Sequence, residues 1–119
     1  MPYIYKEQRD YLATGQCARN GGEVNYLSTL LMNSYFTDYN SANEIATAIE
    51  LTIFKLLTNK DSVRLNYQSE FHQELVKIVM NSAVDVEEVV GALRNAHLEF
   101  YARKVRPYEI LKMEENGDV

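Results

Sequence analysis

The chain has 119 residues, a hydrophobic content of 46% and a formal net charge of -5, which predicts one domain over residues 1–119 and argues against a coat for duplex nucleic acid. Cys17 is the single cysteine, so a disulfide framework and a thiolate metal cluster are excluded and a reducing compartment is expected. No apolar run reaches the roughly 20 residues of a membrane span, and the start has no secretion signal, so we expect a cytoplasmic protein without a membrane segment.

Hydrophobic spacing predicts helix over most of the first half of the chain. Residues 3–5 could add an edge strand, and residues 6–19 have the pattern of a weaker helix. Apolar residues three and four apart then predict a helix over residues 22–36. Ser41 followed by Glu44 has the spacing of a capping box, and this box opens the helix with the widest apolar stripe.

The second half continues with further helices. Residues 63–67 are either a short strand or an extended connection, and residues 69–82 have the spacing of a helix. Another helix begins at Asp85, with Glu88 three residues later as a second capping box. Proline disfavours helical geometry in the residue before it, so that helix should stop before Pro107.

The last residues predict extended chain and a turn. Residues 108–113 are a candidate strand, and Asn116-Gly117 is a hairpin signal because both residues tolerate the positive φ of a type I′ turn. Only two residues follow, so the return strand is truncated, comes from another molecule or is frayed. The predicted fold class is therefore mainly α, an α+β domain of four to five helices with short terminal β segments.

The sequence carries none of the usual enzyme signatures. It contains no phosphate-binding glycine loop, no H-E-x-x-H, no nucleophile elbow and no cysteine cluster. His72 and His97 could act as general bases, although a structural or exposed position on a helix is the alternative for each. Cys17 has no histidine near it in sequence that would lower its pKa, so we do not expect a reactive thiol.

Arg103, Lys104 and Arg106 form a basic cluster that has two explanations. Cations in the last turn of a helix are stabilised by about 0.3–1 kcal/mol through the carbonyl dipoles. Alternatively, the arginine forks bind phosphate while Tyr101 and Tyr108 stack on a base. Polar groups two helical turns upstream lie too far along the helix to complete a compact site, so other elements would have to contribute.

Four more residues are candidates for such a site. Asn95 lies on the same predicted helix, two turns before the basic cluster. Phe71 is either a core residue or a platform for a purine, and Asn81 is either a cap or turn residue at a helix end or part of a pocket. Asp118 is either a solvated carboxylate or an acceptor for ribose hydroxyls, if the tail folds back or reaches a partner.

The stretches MPYI, GGEVNYLSTLL, GALRNAHLEFYARKVRPYE and ENGDV resemble a family of small proteins common in phage genomes, in which LEFY-x-R and PYE are the most specific pieces. Residues 58–84 look like an insertion relative to its shorter members. Among longer proteins of this kind, the chain resembles the phage anti-Thoeris sponges. The resemblance implies a protein that is not an enzyme, needs no cofactor and sequesters cyclic ADP-ribose isomers made by bacterial TIR-domain proteins.

The resemblance also implies an assembly and its binding residues. It implies a homodimer or a higher oligomer such as a hexamer in the host bacterial cytoplasm, with ligand pockets between protomers and a separate site for cyclic di- or trinucleotides. The first site would use an aromatic ring, amides, arginines and a carboxylate, here Phe71, Asn81, Asn95, Arg103, Arg106, Tyr108 and Asp118. The second site would use Arg19 and Thr37.

Two other functions are compatible with the residues. One is a helical phage accessory factor that binds a host protein through a tyrosine-rich face, because tyrosine suits half-buried surfaces and the chain has 9 of them. The other is a nucleotide hydrolase that uses His97 with Glu99 or Glu109. The sequence offers that hydrolase no metal-ligand set and no obvious pair of side chains to activate water.

Overall fold

The computed structural model describes residues 4–58 and 69–117, and most of these residues are helical. The helices are α1 (Lys6–Ala13), α2 (Gly21–Tyr35), α3 (Tyr39–Thr58), α4 (Glu70–Asn81), α5 (Val86–Phe100) and α6 (Arg106–Asn116), with a π turn (Tyr101–Val105) between the last two. Helical geometry is unbroken from α5 to α6, so the described residues form five helical rods. No β-strand occurs among them, which confirms a mainly α fold.

The starts of α2 and α4 are set by side-chain caps in the residue before each helix. The Asn20 side chain accepts a hydrogen bond from the Glu23 N–H at the start of α2, and the Ser69 hydroxyl does the same for the His72 N–H at the start of α4. Such caps satisfy N–H groups that have no partner inside the helix. The predictions of helices over residues 22–36 and 69–82 are therefore confirmed within one residue.

The cap of α3 differs from the prediction. Ser41 lies inside the helix, and its N–H donates to Asp38 Oδ1 at 2.9 Å. In return, Ser41 Oγ accepts from the N–H groups of Thr37 at 2.8 Å and Asp38 at 3.0 Å. The capping box is thus Asp38 with Ser41, one turn earlier than the predicted box, because Asp38 supplies the upstream acceptor that this arrangement requires.

The cap of α5 is also different from the prediction. Asp85 is the N-cap residue, as expected, but its side chain makes no capping hydrogen bond. Glu88 does not bond back to its own helix; its Oε2 accepts from the Gly21 N–H at 2.6 Å. Glu88 therefore caps α2, 67 residues away in sequence, and joins the N-terminal ends of α2 and α5.

The predicted strand over residues 108–113 is wrong, because this segment belongs to α6. Arg106 has φ -61° and ψ -46°, so the residue before the proline stays helical. Proline is tolerated in the first turn of a helix, where its missing N–H is not needed. The π turn just upstream alters the hydrogen-bond ladder at the point where the proline ring would disturb a regular α-helix, and the chain continues as helix.

The predicted hairpin at Asn116-Gly117 is wrong as well. Asn116 is the last residue of α6, and Gly117 follows it with φ 73° and ψ 16°. The Gly117 N–H points at the carbonyl oxygens of Met113 and Glu114, which is the pairing of a left-handed helix C-cap. The glycine adopts the same positive φ that a hairpin requires. The sequence signal therefore indicates the backbone angle correctly, but that angle ends a helix here instead of turning a hairpin.

The N-terminal predictions are only partly tested. Ile4 and Tyr5 are not in a strand, and Tyr5 instead precedes α1, while the rest of the predicted 3–5 strand lies outside the described residues. Helix α1 is shorter than the predicted 6–19 because it ends at Ala13 and the chain turns at Gly15, with φ 85°. The prediction for residues 63–67 also lies outside the described residues.

The core lies among α2, α3, α4 and α5. Helix α2 packs on α4 and α5, and α3 packs on the same two helices. The largest fully buried apolar side chains come from all four helices, namely Val24, Met32, Ile45, Ile49, Phe71, Leu75, Val76, Leu93 and Phe100. Helix α6 contributes no buried residue, so it adds surface to a body that is packed without it.

Candidate functional site

The π turn and α6 together form a C-terminal arm, residues 101–116. One side of the arm is fastened to the body through aromatic rings: Tyr108 meets Phe36 edge-on at 5.7 Å, and Phe36 meets Phe100 edge-on at 5.5 Å between ring centroids. The other side is open to solvent, where Ile110 and Leu111 are 50% and 52% exposed. Large apolar side chains that remain half exposed in this way indicate a contact surface.

The basic cluster lies at the start of the arm. Arg103, Lys104 and Arg106 are all exposed, and none of them forms an ion pair with a carboxylate of the described chain. The explanation by a helix end is wrong here, because helical geometry continues through Arg106 to Asn116. The dipole term acts only within the last turn, so it does not account for cations placed before α6.

Tyr101 lies beside these cations. The Arg106 guanidinium is 5.8 Å from the centre of the Tyr101 ring, within the range of a cation–π contact. The Tyr101 hydroxyl donates a hydrogen bond to Glu109 Oε1. This bond raises the pKa of Tyr101 above its usual value, so the phenol stays protonated. Tyr101 and Arg106, which forms no ion pair within the described part of the chain, therefore lie side by side.

A groove of about 390 Å³ runs along the open side of the arm. It is lined by apolar side chains with one charge near each end, namely Ala102, Arg106, Pro107, Ile110, Leu111 and Glu114. All six residues belong to the arm itself, so among the described residues the groove has no wall from the body of the protein. A ligand or partner bound there would need a second surface to enclose it.

A second groove of about 350 Å³ lies between α2 and α5. Its lining includes Asn25, which is only 6% exposed, and Asn95, which is exposed. Gly91 leaves part of this groove open, since a Cβ placed there would meet nothing within 4 Å. Glu88 closes the end of this groove at the N-terminus of α2. Its carboxylate accepts the hydrogen bond from the Gly21 N–H, which an anion would otherwise accept.

The close approach of Glu88 depends on the glycine opposite it. A Cβ on Gly21 would lie 2.9 Å from both Cγ and Oε2 of Glu88, which is closer than unbonded atoms tolerate. Asn25 and Glu88 were not singled out as site residues from the sequence. The Gly21-Gly22 pair before a helix was the only local signal, and the partner lies too far along the chain for a spacing argument to find it.

Arg19 is engaged in a structural network. Its side chain donates to both carboxylate oxygens of Glu23, the shortest bond being 2.7 Å from Nη2, and its backbone N–H donates to the same group at 2.8 Å. Gln8 adds a further donor at 3.1 Å. The guanidinium also lies 3.6 Å from the centre of the Tyr11 ring. The Nε–H group and an Nη2–H group of Arg19 are therefore engaged by Glu23, and one face of the guanidinium by Tyr11, while the side chain stays 49% exposed.

The electrostatics of this network favour the charged pair. Glu23 is fully buried, yet hydrogen bonds from Arg19 hold the pKa of its carboxyl below the ordinary value of 4.5. The Glu23 carboxylate in turn raises the pKa of Arg19. Thr37, the other residue implied for a second ligand site, is exposed just before α3, where its N–H caps onto Ser41.

The remaining predicted residues lie in different places. Phe71 is a core residue, 2% exposed and edge-on to Tyr35 at 5.6 Å, which is the first of the two alternatives the sequence left open. Asn81 is exposed at the end of α4, and Asp118 lies outside the described residues. Within one protomer Arg103, Arg106 and Tyr108 all lie on the arm, but Tyr108 faces the body at Phe36 whereas Arg106 lines the open groove, so the structure assembles no compact site from the predicted residues.

The two histidines are both perturbed by their surroundings. Burial lowers the pKa of His72 and of His97. His97 and Glu109, one pair considered for a hydrolase, line the same cavity with Tyr101, but its volume is about 100 Å³. Ligand pockets typically hold about 300–1,000 Å³, so this cavity is too small for a nucleotide as it stands.

Over the described residues, no helix is long and apolar enough to span a membrane, and no three His, Cys, Asp or Glu side chains lie together as a metal site.

Comparison with known proteins gives one result that classifies the chain. Neither curated proteins nor solved structures give a match. The family model of a domain of unknown function, DUF6899, matches residues 58–119, more than half of the chain, including α4, α5 and the whole arm. The chain belongs to the DUF6899 family.

Proposed function

We propose that the protein binds cyclic nucleotide signals, cyclic ADP-ribose isomers first and cyclic oligonucleotides second, and sequesters them without cleavage in the cytoplasm of an infected bacterium. The observation that carries this proposal is the pair Arg103 and Arg106. Both are exposed and form no ion pair with the described chain, and Arg106 lies beside the ring of Tyr101. A ligand with phosphates and a purine matches those two kinds of group.

The chemistry of binding follows from the side chains. A guanidinium presents planar pairs of N–H donors that fit phosphate oxygens, and its charge does not depend on pH in the physiological range. The Tyr101 ring, flanked by Arg106, supplies a flat surface on which a base can stack. Both groups stand on helical backbone, so binding has to order their side chains but not the backbone that carries them.

Enclosure of the ligand requires another protomer in this proposal. The described residues that line the groove all belong to the arm, so an isolated protomer with this lining would leave one side of a bound nucleotide in water. A homodimer, or a higher oligomer such as a hexamer, would supply the missing wall, with Asn95 and Asp118 as candidates for further contacts. A second site near Arg19 and Thr37 belongs to the same proposal.

The cavities support sequestration of the ligand rather than its cleavage. The small volume shared by His97 and Glu109 would have to open before a nucleotide could reach them. Burial also depresses the pKa of His97, which weakens it as a base. We therefore assign no catalytic residue and no cofactor, and we expect a bound signal to leave the protein chemically unchanged.

Titration calorimetry with glycocyclic ADP-ribose tests the proposal. We expect binding to the unaltered protein and a loss of about 10- to 100-fold in affinity for Arg103→Ala or Arg106→Ala, because each removes charge-assisted hydrogen bonds. Arg94→Ala is the matched control, since it removes an exposed arginine of α5 outside the arm. No binding of this ligand or of cyclic trinucleotides would refute the proposal, and a cleaved product after denaturation would favour a hydrolase.

The exposed apolar side of α6 favours a second candidate, an accessory factor that binds a host protein. Ile110, Leu111 and Met113 are each about half exposed, which is typical of a surface that another protein covers. Capture of one host protein from lysate, abolished by Ile110→Asp, without any nucleotide-induced rise in melting temperature, would support this candidate. A melting temperature that rises with cyclic nucleotide would instead favour sequestration.

A further inference from the structure

The groove on the arm has an internal symmetry in its sequence. Ile110 stands midway between its two charged residues, with Arg106 four residues before it and Glu114 four residues after it. At a rise of 1.5 Å per residue, each charge is about 6 Å along the helix axis from Ile110. The surface is therefore apolar in the middle, positive toward one end and negative toward the other.

We propose that α6 pairs with α6 of a second copy of the chain, antiparallel, about a two-fold axis beside Ile110. In such an arrangement Ile110 faces its own counterpart, Arg106 of each copy faces Glu114 of the other, and Leu111 helps to fill the centre. A two-fold interface must be complementary to itself. The positions of these charges at equal distances from Ile110 meet that condition.

Arg106 and Glu114 indicate which molecule would bind in this groove. A parallel partner α6 would place Arg106 next to Arg106 and Glu114 next to Glu114, and each like-charge contact is unfavourable. An unrelated helix would match the apolar centre but has no reason to carry the reversed order of charges. The antiparallel second copy satisfies both ends at once, because the same helix supplies both charges.

The size of the surface sets the expected strength of the pairing. Helix α6 has 11 residues and is roughly 16 Å long, so two such helices alone bury less than the roughly 1,200 Å² of a standard interface. Ala102 extends the lining of the groove upstream of α6 by about one turn. We therefore expect a concentration-dependent dimer rather than an obligate one.

The pairing does not depend on nucleotide binding. A guanidinium has five N–H donors, so Arg106 can face a carboxylate and still have donors for a phosphate. Arg103 does not line the groove, and Arg103→Ala should weaken nucleotide binding while leaving the pairing intact. Failure of the pairing and failure of the proposed function are thus observed separately when dimerisation is measured without any nucleotide.

Sedimentation equilibrium of charge-reversal variants tests the pairing. We expect Arg106→Glu and Glu114→Arg each to weaken the dimer by about tenfold, because each reversal converts two attractive contacts per dimer into repulsive ones. The double variant restores both contacts and should return to within about threefold of the unaltered protein. Lys104→Glu and Glu115→Arg are the matched controls, since neither residue lines the groove, and both should leave the dimer unchanged.

Cysteine cross-linking gives an independent readout of the axis. In a Cys17→Ser background, Ile110→Cys should form a disulfide-linked dimer on mild oxidation, whereas Glu115→Cys should not. A chain that stays monomeric up to high concentration overturns the proposal. So does a dimer that the single reversals leave unchanged or the double variant fails to rescue, and so does a groove occupied by a different protein while the chain remains monomeric.

Discussion

At the scale of single residues, the buried carboxylate of Glu23 is the clearest link between sequence and stability. It accepts hydrogen bonds from Arg19 and Gln8 and so ties α1 and the following loop to α2. Because its pKa is lower in the folded chain than the ordinary 4.5, the unfolded chain binds the proton more tightly in acid. Stability from this group is thus present above pH 4.5 and is lost as the pH falls toward the folded pKa.

This pH dependence can be measured directly. We expect the free energy of unfolding, from urea titrations, to decrease as the pH falls below 4.5. Glu23→Gln removes the titrating group but keeps its shape, so it should lower stability at neutral pH and flatten the acid slope. Glu115→Gln, an exposed carboxylate on α6, is the control. Equal slopes for the variant and the unaltered protein would show that Glu23 does not carry the effect.

Thr52 is a second residue with a measurable role. It is fully buried in α3, and its hydroxyl has no hydrogen-bond partner in the described structure. A buried hydroxyl without a partner costs stability, and valine has nearly the same shape without the polar atom. We expect Thr52→Val to raise the free energy of unfolding by about 0.5–1.5 kcal/mol. A destabilised variant would mean that the hydroxyl has a partner after all.

At the scale of helices, two glycines show that backbone geometry decides whether a change from glycine to alanine raises or lowers stability. Gly91 lies inside α5 with open space around it, and Gly117 ends α6 at a positive φ of 73°. Alanine is favoured over glycine within a helix by about 0.5–1 kcal/mol. In the left-handed region, however, an L-residue with a Cβ is disfavoured by about 1–2 kcal/mol.

The two alanine variants should therefore act in opposite directions. Gly91→Ala should raise the free energy of unfolding by about 0.5–1 kcal/mol in denaturant titrations. Gly117→Ala should speed amide exchange in the last turn of α6 by about fivefold or more, since the cap weakens. Gly117→Asn, which tolerates positive φ better, should have a smaller effect. If Gly117→Ala changed nothing, the observed cap would contribute no stability.

At the scale of the whole molecule, the protein consists of a packed body and an arm fastened at one side. The body buries side chains from α2 through α5, whereas α6 buries none. The arm is held to the body by Val105 of the π turn, which is buried in the core, and by Tyr108 on Phe36. Segments with few buried apolar contacts open most readily. The arm should therefore be the least protected helical part of the described chain when the protein is dilute.

Hydrogen exchange can separate the two parts. We expect the amides of α6 in dilute protein to exchange at least about tenfold faster than those in the middle of α3. Raising the protein concentration should slow exchange in α6 alone if the arm pairs with a second copy. Protection of α6 equal to that of α3 at every concentration would contradict the division into body and arm.

Residues close together in sequence made the helices predictable. The spacing of apolar residues predicted α2, α4 and the start of α5, because a helix buries one side and so repeats its pattern every turn. The signal at Asn116-Gly117 was also correct in its physical content, a positive φ. A glycine at that angle serves both a hairpin and a helix end, however, and only the helical path of residues 108–113 decides between them.

The sequence by itself determined the mainly helical fold, the basic cluster and the lack of familiar catalytic motifs, since each depends on residues within a few positions of one another. Only the tertiary structure decided that Phe71 is buried and that Glu88 caps α2 rather than its own helix. These contacts depend on which helices pack together. Spacing along the chain fixes the sides of a helix, but it does not state which neighbour each side will meet.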